Sequence, residues 1–124
     1  MRLTMLGAAL AGLIYAGGAL AVDMPPEVQD FHCDGCHAID HRILGPSWMD
    51  VSKRYKGQKT YKYSMTGSNS PDAKEYPLVD GLVMKISRGG SGNWGAEPMI
   101  ANNALRNKQG EIRDIVQFIL GLAK

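Results

Sequence analysis

The sequence predicts a small all-α domain, and three features support that fold class. The apolar residues that follow Asn107 recur at the i, i+3, i+4, i+7 and i+8 positions of one helix face: Ile112, Ile115, Val116, Ile119 and Leu120. No segment alternates apolar and polar residues in the way a half-buried strand does. Two long irregular stretches, 57–80 and 89–103, indicate that a buried group orders the interior, since such loops are uncommon in a compact domain.

Length and composition describe one ordinary globular unit. The 124 residues fit a single domain, and 44% apolar with 21% charged residues argue against disorder or a multi-span membrane protein. Fourteen Lys and Arg face twelve Asp and Glu, which gives a net charge of +2. This balance gives no indication of nucleic-acid binding.

Residues 1–21 have the pattern of a secretory signal peptide. Arg2 precedes a long uncharged run rich in Ala, Leu and Gly, and the small-residue triplet Ala19-Leu20-Ala21 ends it as a cleavage site. Cleavage after Ala21 leaves residues 22–124 as an exported, periplasmic domain. If the segment is not cleaved, it is long enough to act as a membrane anchor.

Four short helices are expected in the domain, each with a start signal in the sequence. These signals are Pro25-Pro26, Ser47, Asp80 and Asn107. Glycines at Gly57 and Gly89-Gly90 are expected to end the second and third helices, because glycine readily adopts the left-handed conformation found there.

The first and last helices are expected to cross. Val28 or Phe31 of the first helix would then meet Ile115 and Ile119 of the last. The polar stretch 57–80 is punctuated by Gly, Ser and Pro and has no sustained period, so we expect a loop there and no strands in the domain.

Residues 33–37 read Cys-Asp-Gly-Cys-His, which is the C-x-x-C-H attachment motif of c-type haem. Two thiols three residues apart on a helical turn can each form a thioether with one vinyl group of the porphyrin. Cys33 and Cys36 are therefore predicted to anchor one haem c, with His37 as an axial iron ligand. A redox-active thiol pair or a structural disulfide is the alternative, but the adjoining histidine and the exported character favour haem.

The second axial ligand is predicted to be Met99. It follows the stiff Pro98 on an irregular segment, and enough chain separates it from His37 to reach the other face of a porphyrin. Met65, in the polar stretch, is an open alternative. Met84 fits better as a core residue of the third helix.

Taken together, these motifs resemble the small bacterial monohaem class I cytochromes c, which are periplasmic electron carriers. The similarity covers most of the mature chain in order and spacing; its residues are Cys33–Asp40, Gly45-Pro46, Gly92–Glu97, Pro98-Met99 and Asn102. It implies a cytochrome c-like fold of three to five short helices wrapped around one covalently bound haem.

The resemblance also implies three supporting residues. The carbonyl of Pro46 would bond the imidazole of His37, Trp94 would pack by the haem and reach a propionate, and Asn102 would bond the sulfur of Met99. Hydrogen-bond partners of this kind orient the side chains that ligate the iron and shift the reduction potential of the iron. This chain departs from the family where Ile100-Ala101 replace the usual two prolines, which should loosen the ligand loop.

One-electron transfer, rather than enzymatic activity, is the function these residues predict, because an iron with two side-chain ligands has no open position for a substrate. A haem subunit of a larger oxidoreductase is an alternative, as is a haem enzyme or gas sensor with a labile sixth ligand.

Redox partner proteins are the expected partners of a monomeric domain that binds neither nucleic acid nor, after signal cleavage, a membrane. Segment 53–62 carries five positive charges and no acid, which would steer an acidic partner: Lys53, Arg54, Lys56, Lys59 and Lys62. An ordinary solvated surface explains this charge run equally well.

Overall fold

The structure, a computed structural model, describes residues 23–101 and 103–124. It contains the helices α1 (Pro26–Asp30), α2 (Trp48–Tyr55), α3 (Leu78–Arg88) and α4 (Gln109–Leu120), the strands β1 (Thr60–Tyr63) and β2 (Lys74–Pro77), and short 3-10 helices at Cys33–Gly35 and Asn103–Asn107. Within those two described ranges, no helix is both long and apolar enough to cross a membrane. The predicted signal peptide, residues 1–21, and Asn102 lie outside the described residues.

Helices α1 and α4 are in contact through the predicted residues. Val28 of α1 is fully buried and packs with Ile115 and Ile119 of α4 and with Trp48 of α2. Phe31 packs against the same cluster from its edge. The predominantly helical architecture agrees with the predicted fold class.

A second apolar cluster joins α3 and α4 to the end of α2 and to β1. Its buried members are Tyr55, Tyr61, Tyr63, Leu82, Val83, Leu105, Ile112 and Val116. Three of these eight side chains are tyrosines, which bury large apolar areas but bring a hydroxyl that needs a partner.

The expectation of a strand-free loop at 57–80 is wrong. Strands β1 and β2 form an antiparallel hairpin in which Tyr61 lies opposite Tyr76. Tyr61 and Tyr63 point inward, whereas the residues between and before them are exposed, so β1 alternates as a half-buried strand should. The alternation was missed because the inward residues are tyrosines inside a run of polar and charged residues.

Ser47 caps α2 as predicted, and Gly57 and Gly89 follow the ends of α2 and α3 with φ of 84° and 75°. The hydroxyl of Ser47 accepts a hydrogen bond from the backbone N–H of Asp50 at 3.1 Å. This satisfies one of the free amides of the first helical turn.

The predicted N-caps of α3 and α4 are wrong: Asp80 lies three residues after the observed cap, Pro77, and Asn107 lies one residue before the observed cap. Helix α3 begins at Leu78, because the carbonyl of Lys59 accepts from the Leu78 N–H at 3.0 Å and so replaces a side-chain cap. Asp80 instead accepts from the guanidinium of Arg113 at 2.6 Å. Asn107 ends the 3-10 helix before α4, whose N-cap is Lys108.

Replacing Ser52 with alanine should destabilise the fold by about 1–3 kcal/mol, since two buried backbone groups would lose their partner. The fully buried Ser52 hydroxyl donates to the carbonyl of Leu120 at 3.0 Å and accepts from the N–H of Ala123 at 2.9 Å. Denaturant unfolding measures the change. Lys53→Ala, on the exposed side of the same helix, serves as the control and should stay within about 0.5 kcal/mol. Equal losses of unfolding free energy in the two variants would contradict a stabilising role for the two Ser52 hydrogen bonds.

Candidate haem site

A cavity of about 450 Å³ lies between the helices, segment 31–46 and segment 90–101. Its lining includes side chains of α2, α3 and α4 that also form the core, such as Tyr55, Leu82, Val116 and Ile119. Cofactor pockets have volumes of roughly 300–1,000 Å³ and mostly apolar walls with a few placed polar groups. The cavity therefore suits a large, mainly apolar group.

The 3-10 turn at Cys33–Gly35 brings both thiols and the imidazole to this cavity. The backbone N–H groups of Cys36 and His37 both donate to the carbonyl of Cys33, at 3.2 and 3.0 Å. Cys33, Cys36 and His37 all line the cavity, and neither cysteine is in a disulfide. Burial raises the pKa of the half-buried Cys33 thiol.

The imidazole of His37 is fixed from three sides. Its Nδ1 donates to the carbonyl of Pro46 at 2.9 Å, so the lone pair of Nε2 is available to a metal. Its ring stacks on Trp48 with centroids 5.9 Å apart, and a Cβ at Gly45 would lie 2.4 Å from the ring carbon Cε1. Burial lowers the pKa of His37, although the Pro46 carbonyl opposes this, and the neutral form is the one that ligates metals.

Met99 is half-buried and lines the same cavity. Its N–H donates to the carbonyl of Gly90 at 2.8 Å, and its own carbonyl accepts from the Gly90 N–H at 3.0 Å. Met65 is 54% exposed and its sulfur accepts from the hydroxyl of Tyr63, while Met84 packs against the core. Of these three described methionines, only Met99 lines the cavity.

Trp94 lies at the cavity wall, where the guanidinium carbon of Arg54 sits 4.6 Å from its ring centroid. The ring also meets Tyr55 edge-on at 6.2 Å. The cavity thus brings together six of the seven predicted site residues: Cys33, Cys36, His37, Pro46, Trp94 and Met99. The seventh, Asn102, lies outside the described residues.

Two polar groups at the cavity were missed from the sequence. The hydroxyl of Tyr55 is buried and has no hydrogen-bond partner among residues 23–101 and 103–124. Lys85 is half-buried, and burial lowers its pKa. A cofactor with carboxylate groups would satisfy both, and haem carries two propionates. The sequence signal for Lys85 was its position three residues after the apolar Leu82, because residues with that spacing share one face of a helix.

An apolar cavity with this turn of two thiols and an imidazole fits one covalent haem, and the residues present match that cofactor's chemistry. The class of protein that this fold and this site define is a c-type cytochrome.

Comparison with known proteins identifies the family. The chain is 33% identical over 88 residues to cytochrome c-551 of Azotobacter vinelandii, covering 71% of this chain and 83% of that protein. It is 32% identical over 113 residues to cytochrome c-552 of Hydrogenobacter thermophilus, covering 91% and 88%. The crystal structure of wild-type Nitrosomonas europaea cytochrome c552 has the same fold, with a TM-score of 0.54 over 77% of this chain and 94% of that one, at 23% identity. No protein-family profile matches the sequence.

The chain belongs to the small monohaem class I cytochromes c. It is a haem-based electron carrier, not an enzyme, and its cofactor is covalent haem c, for which Cys33 and Cys36 have the attachment spacing. The predicted family, fold and cofactor are confirmed.

Proposed function

We propose that this protein is a periplasmic one-electron carrier whose haem iron is ligated by His37 and Met99. One observation carries the proposal: both side chains line the cavity that the two cysteines of the attachment motif also line. An iron closed on both sides changes its oxidation state with little movement of its ligands. It offers no position to a substrate.

Bound haem c supplies the one-electron chemistry. The residues of this chain orient it and set its potential. The carbonyl of Pro46 holds the imidazole of His37, and the apolar lining excludes water and disfavours the extra charge of oxidised iron. The ammonium of Lys85 and the hydroxyl of Tyr55 would hold the carboxylates of the cofactor.

Optical spectra in both oxidation states test this ligation. We expect a red, low-spin protein whose oxidised form shows the weak far-red absorption of an iron–methionine bond. A high-spin spectrum, or ready uptake of carbon monoxide by the reduced protein, would instead support the enzyme or gas-sensor alternative. Size-exclusion chromatography of the native extract separates a free monomeric carrier from a permanent subunit of a larger oxidoreductase.

Export to the periplasm is proposed from the pattern of residues 1–21. A charged start, an apolar run and the triplet Ala19-Leu20-Ala21 support cleavage after Ala21. Amino-terminal sequencing of protein from the periplasmic fraction tests it. A mature protein that begins at Val22 is expected, and retention of the apolar run in the membrane fraction would contradict it.

We propose that the exposed cations of segment 53–62 steer redox partners. Its five cations are exposed, but Arg54 is bonded to the carbonyl of Asn93 and Lys56 to that of Ala123. The ammonium groups of Lys53, Lys59 and Lys62 form no hydrogen bond or ion pair with other described residues. They are the cations free to attract an anionic partner.

Reversing these three charges (Lys53→Glu, Lys59→Glu and Lys62→Glu together) should slow oxidation of the reduced protein by hexacyanoferrate(III) about 10-fold at low salt, since steering by surface charge accounts for ~10–10³-fold in encounter rates. Oxidation by a cationic cobalt complex should accelerate. Stopped-flow measurements over a salt series give both rates. Lys108→Glu, near the start of α4, is the control. It changes the net charge by one third as much as the triple variant, so an effect one third as large on the logarithm of the rate would show that net charge, rather than this segment, sets the rate.

A further inference from the structure

We propose that the connection after β1 positions the ligand methionine, and that Asn93 is a positioning residue for Met99. We call residues 64–68 the strap. The inference rests on the proposed ligation of iron by Met99. It assigns to the strap a rigidity that Ile100-Ala101, which stand where the family resemblance implies two prolines, do not provide.

The strap packs directly on the backbone of residues 90–92. The N–H of Ser91 donates to the carbonyl of Met65 at 2.9 Å. A Cβ at Gly90 would lie 2.7 Å from the Met65 oxygen, and one at Gly92 would lie 2.2 Å from the Thr66 oxygen. Both glycines have positive φ, 119° and 94°. Only glycine permits this approach of the two backbones.

Asn93 joins the strap to two other elements. Its side-chain oxygen accepts from the backbone N–H of Ser68 at 2.7 Å, and its side-chain amide donates to the hydroxyl of Tyr61 on β1. Its backbone carbonyl accepts from the guanidinium of Arg54 on α2 at 2.6 Å. One residue of the segment before the methionine is therefore held by the strap, the hairpin and a helix.

A residue packed on the strap also hydrogen-bonds directly to Met99. Gly90, pressed against the strap, exchanges two backbone hydrogen bonds with Met99, at 2.8 and 3.0 Å. On the far side of the methionine, Ile100 is 83% exposed and Ala101 is also exposed. Met99 is thus held by backbone hydrogen bonds to a residue that packs on the strap, whereas the exposed Ile100 and Ala101 bury little against the described residues.

Asn93→Ala tests the inference in the haem-loaded, oxidised protein. The probe is imidazole, which competes with the methionine sulfur for iron, and the readout is loss of the far-red iron–methionine absorption. Loss of the side-chain bonds to the strap and hairpin should strengthen apparent imidazole binding about 10-fold, because the methionine sulfur then competes from a less firmly held segment. Thr60→Ala is the control, since the Thr60 hydroxyl donates to Glu75 within the same hairpin and should leave imidazole binding unchanged.

Gly92→Ala is the second variant, and Gly95→Ala is its matched control. Both glycines have positive φ, but a Cβ at Gly95 meets nothing within 4 Å, whereas one at Gly92 meets the strap. We expect tighter imidazole binding in Gly92→Ala than in Gly95→Ala. A wild-type protein without the iron–methionine absorption would refute the proposed ligation. If that absorption is present but both test variants bind imidazole like their controls, the role of the strap is refuted.

Discussion

Replacing Met99 with alanine should abolish the low-spin, methionine-ligated spectrum and lower the reduction potential of the haem. Alanine cannot reach the iron, so water or a weaker ligand would take the sixth position. A thioether stabilises reduced iron relative to oxidised iron, and its loss removes that preference. We expect a fall of at least about 0.1 V, within the ~0.8 V that axial ligands span in haem proteins.

Redox titration followed by absorbance measures both changes in one experiment. Met65→Ala is the matched control, because Met65 is the exposed alternative and its sulfur accepts from Tyr63 instead of facing the cavity. The control should keep the wild-type spectrum and potential. If Met65→Ala loses the absorption and Met99→Ala keeps it, the ligand assignment is reversed.

Features whose determinants lie close together in the chain could be predicted from the sequence. The attachment motif occupies five consecutive residues, and Pro46, whose carbonyl fixes the His37 imidazole, lies nine residues further on. Ser47 as a cap and the apolar face of α4 depend on positions within one or two helical turns. The local chain determines these features, so they were accessible before the fold was known.

Features that depend on contacts between distant segments were not predicted. The hairpin was missed because Tyr61 and Tyr63 alternate within an otherwise polar run, and burial of their rings requires α3 and α4. The only sequence feature that could have indicated the packing of residues 64–68 on residues 90–93 was the presence of glycines in both segments. Glycines are equally common in loops that make no such contact, so they did not predict it. The positions of Tyr55 and Lys85 at the cavity needed the assembled fold.

Cys33→Ala together with Cys36→Ala, purified free of haem, should lose most of its helical circular dichroism and its cooperative unfolding transition. Much of the core of this domain is also cavity wall, including Leu82, Ile115 and Val116. Without haem these apolar walls line a cleft of about 450 Å³ that is partly open to water, and leaving them exposed costs on the order of 5 kcal/mol at ~25 cal/mol per Å² of apolar surface. A domain of this size has only about 5–15 kcal/mol of stability, so the haem-free chain should not hold its fold.

Addition of free haem should restore helicity to this double variant in proportion to haem concentration, since a ligand that binds only the folded state stabilises it by mass action. His37→Ala in the same background is the control and should weaken the recovery, because the remaining bond from the protein to iron on that side is lost. A cooperative transition near the wild-type midpoint in the haem-free variant would show that the polypeptide core suffices. The expected result would make the cofactor part of the core: Leu82, Ile115 and Val116 line the cavity, and the thioethers would keep in place the group that fills it.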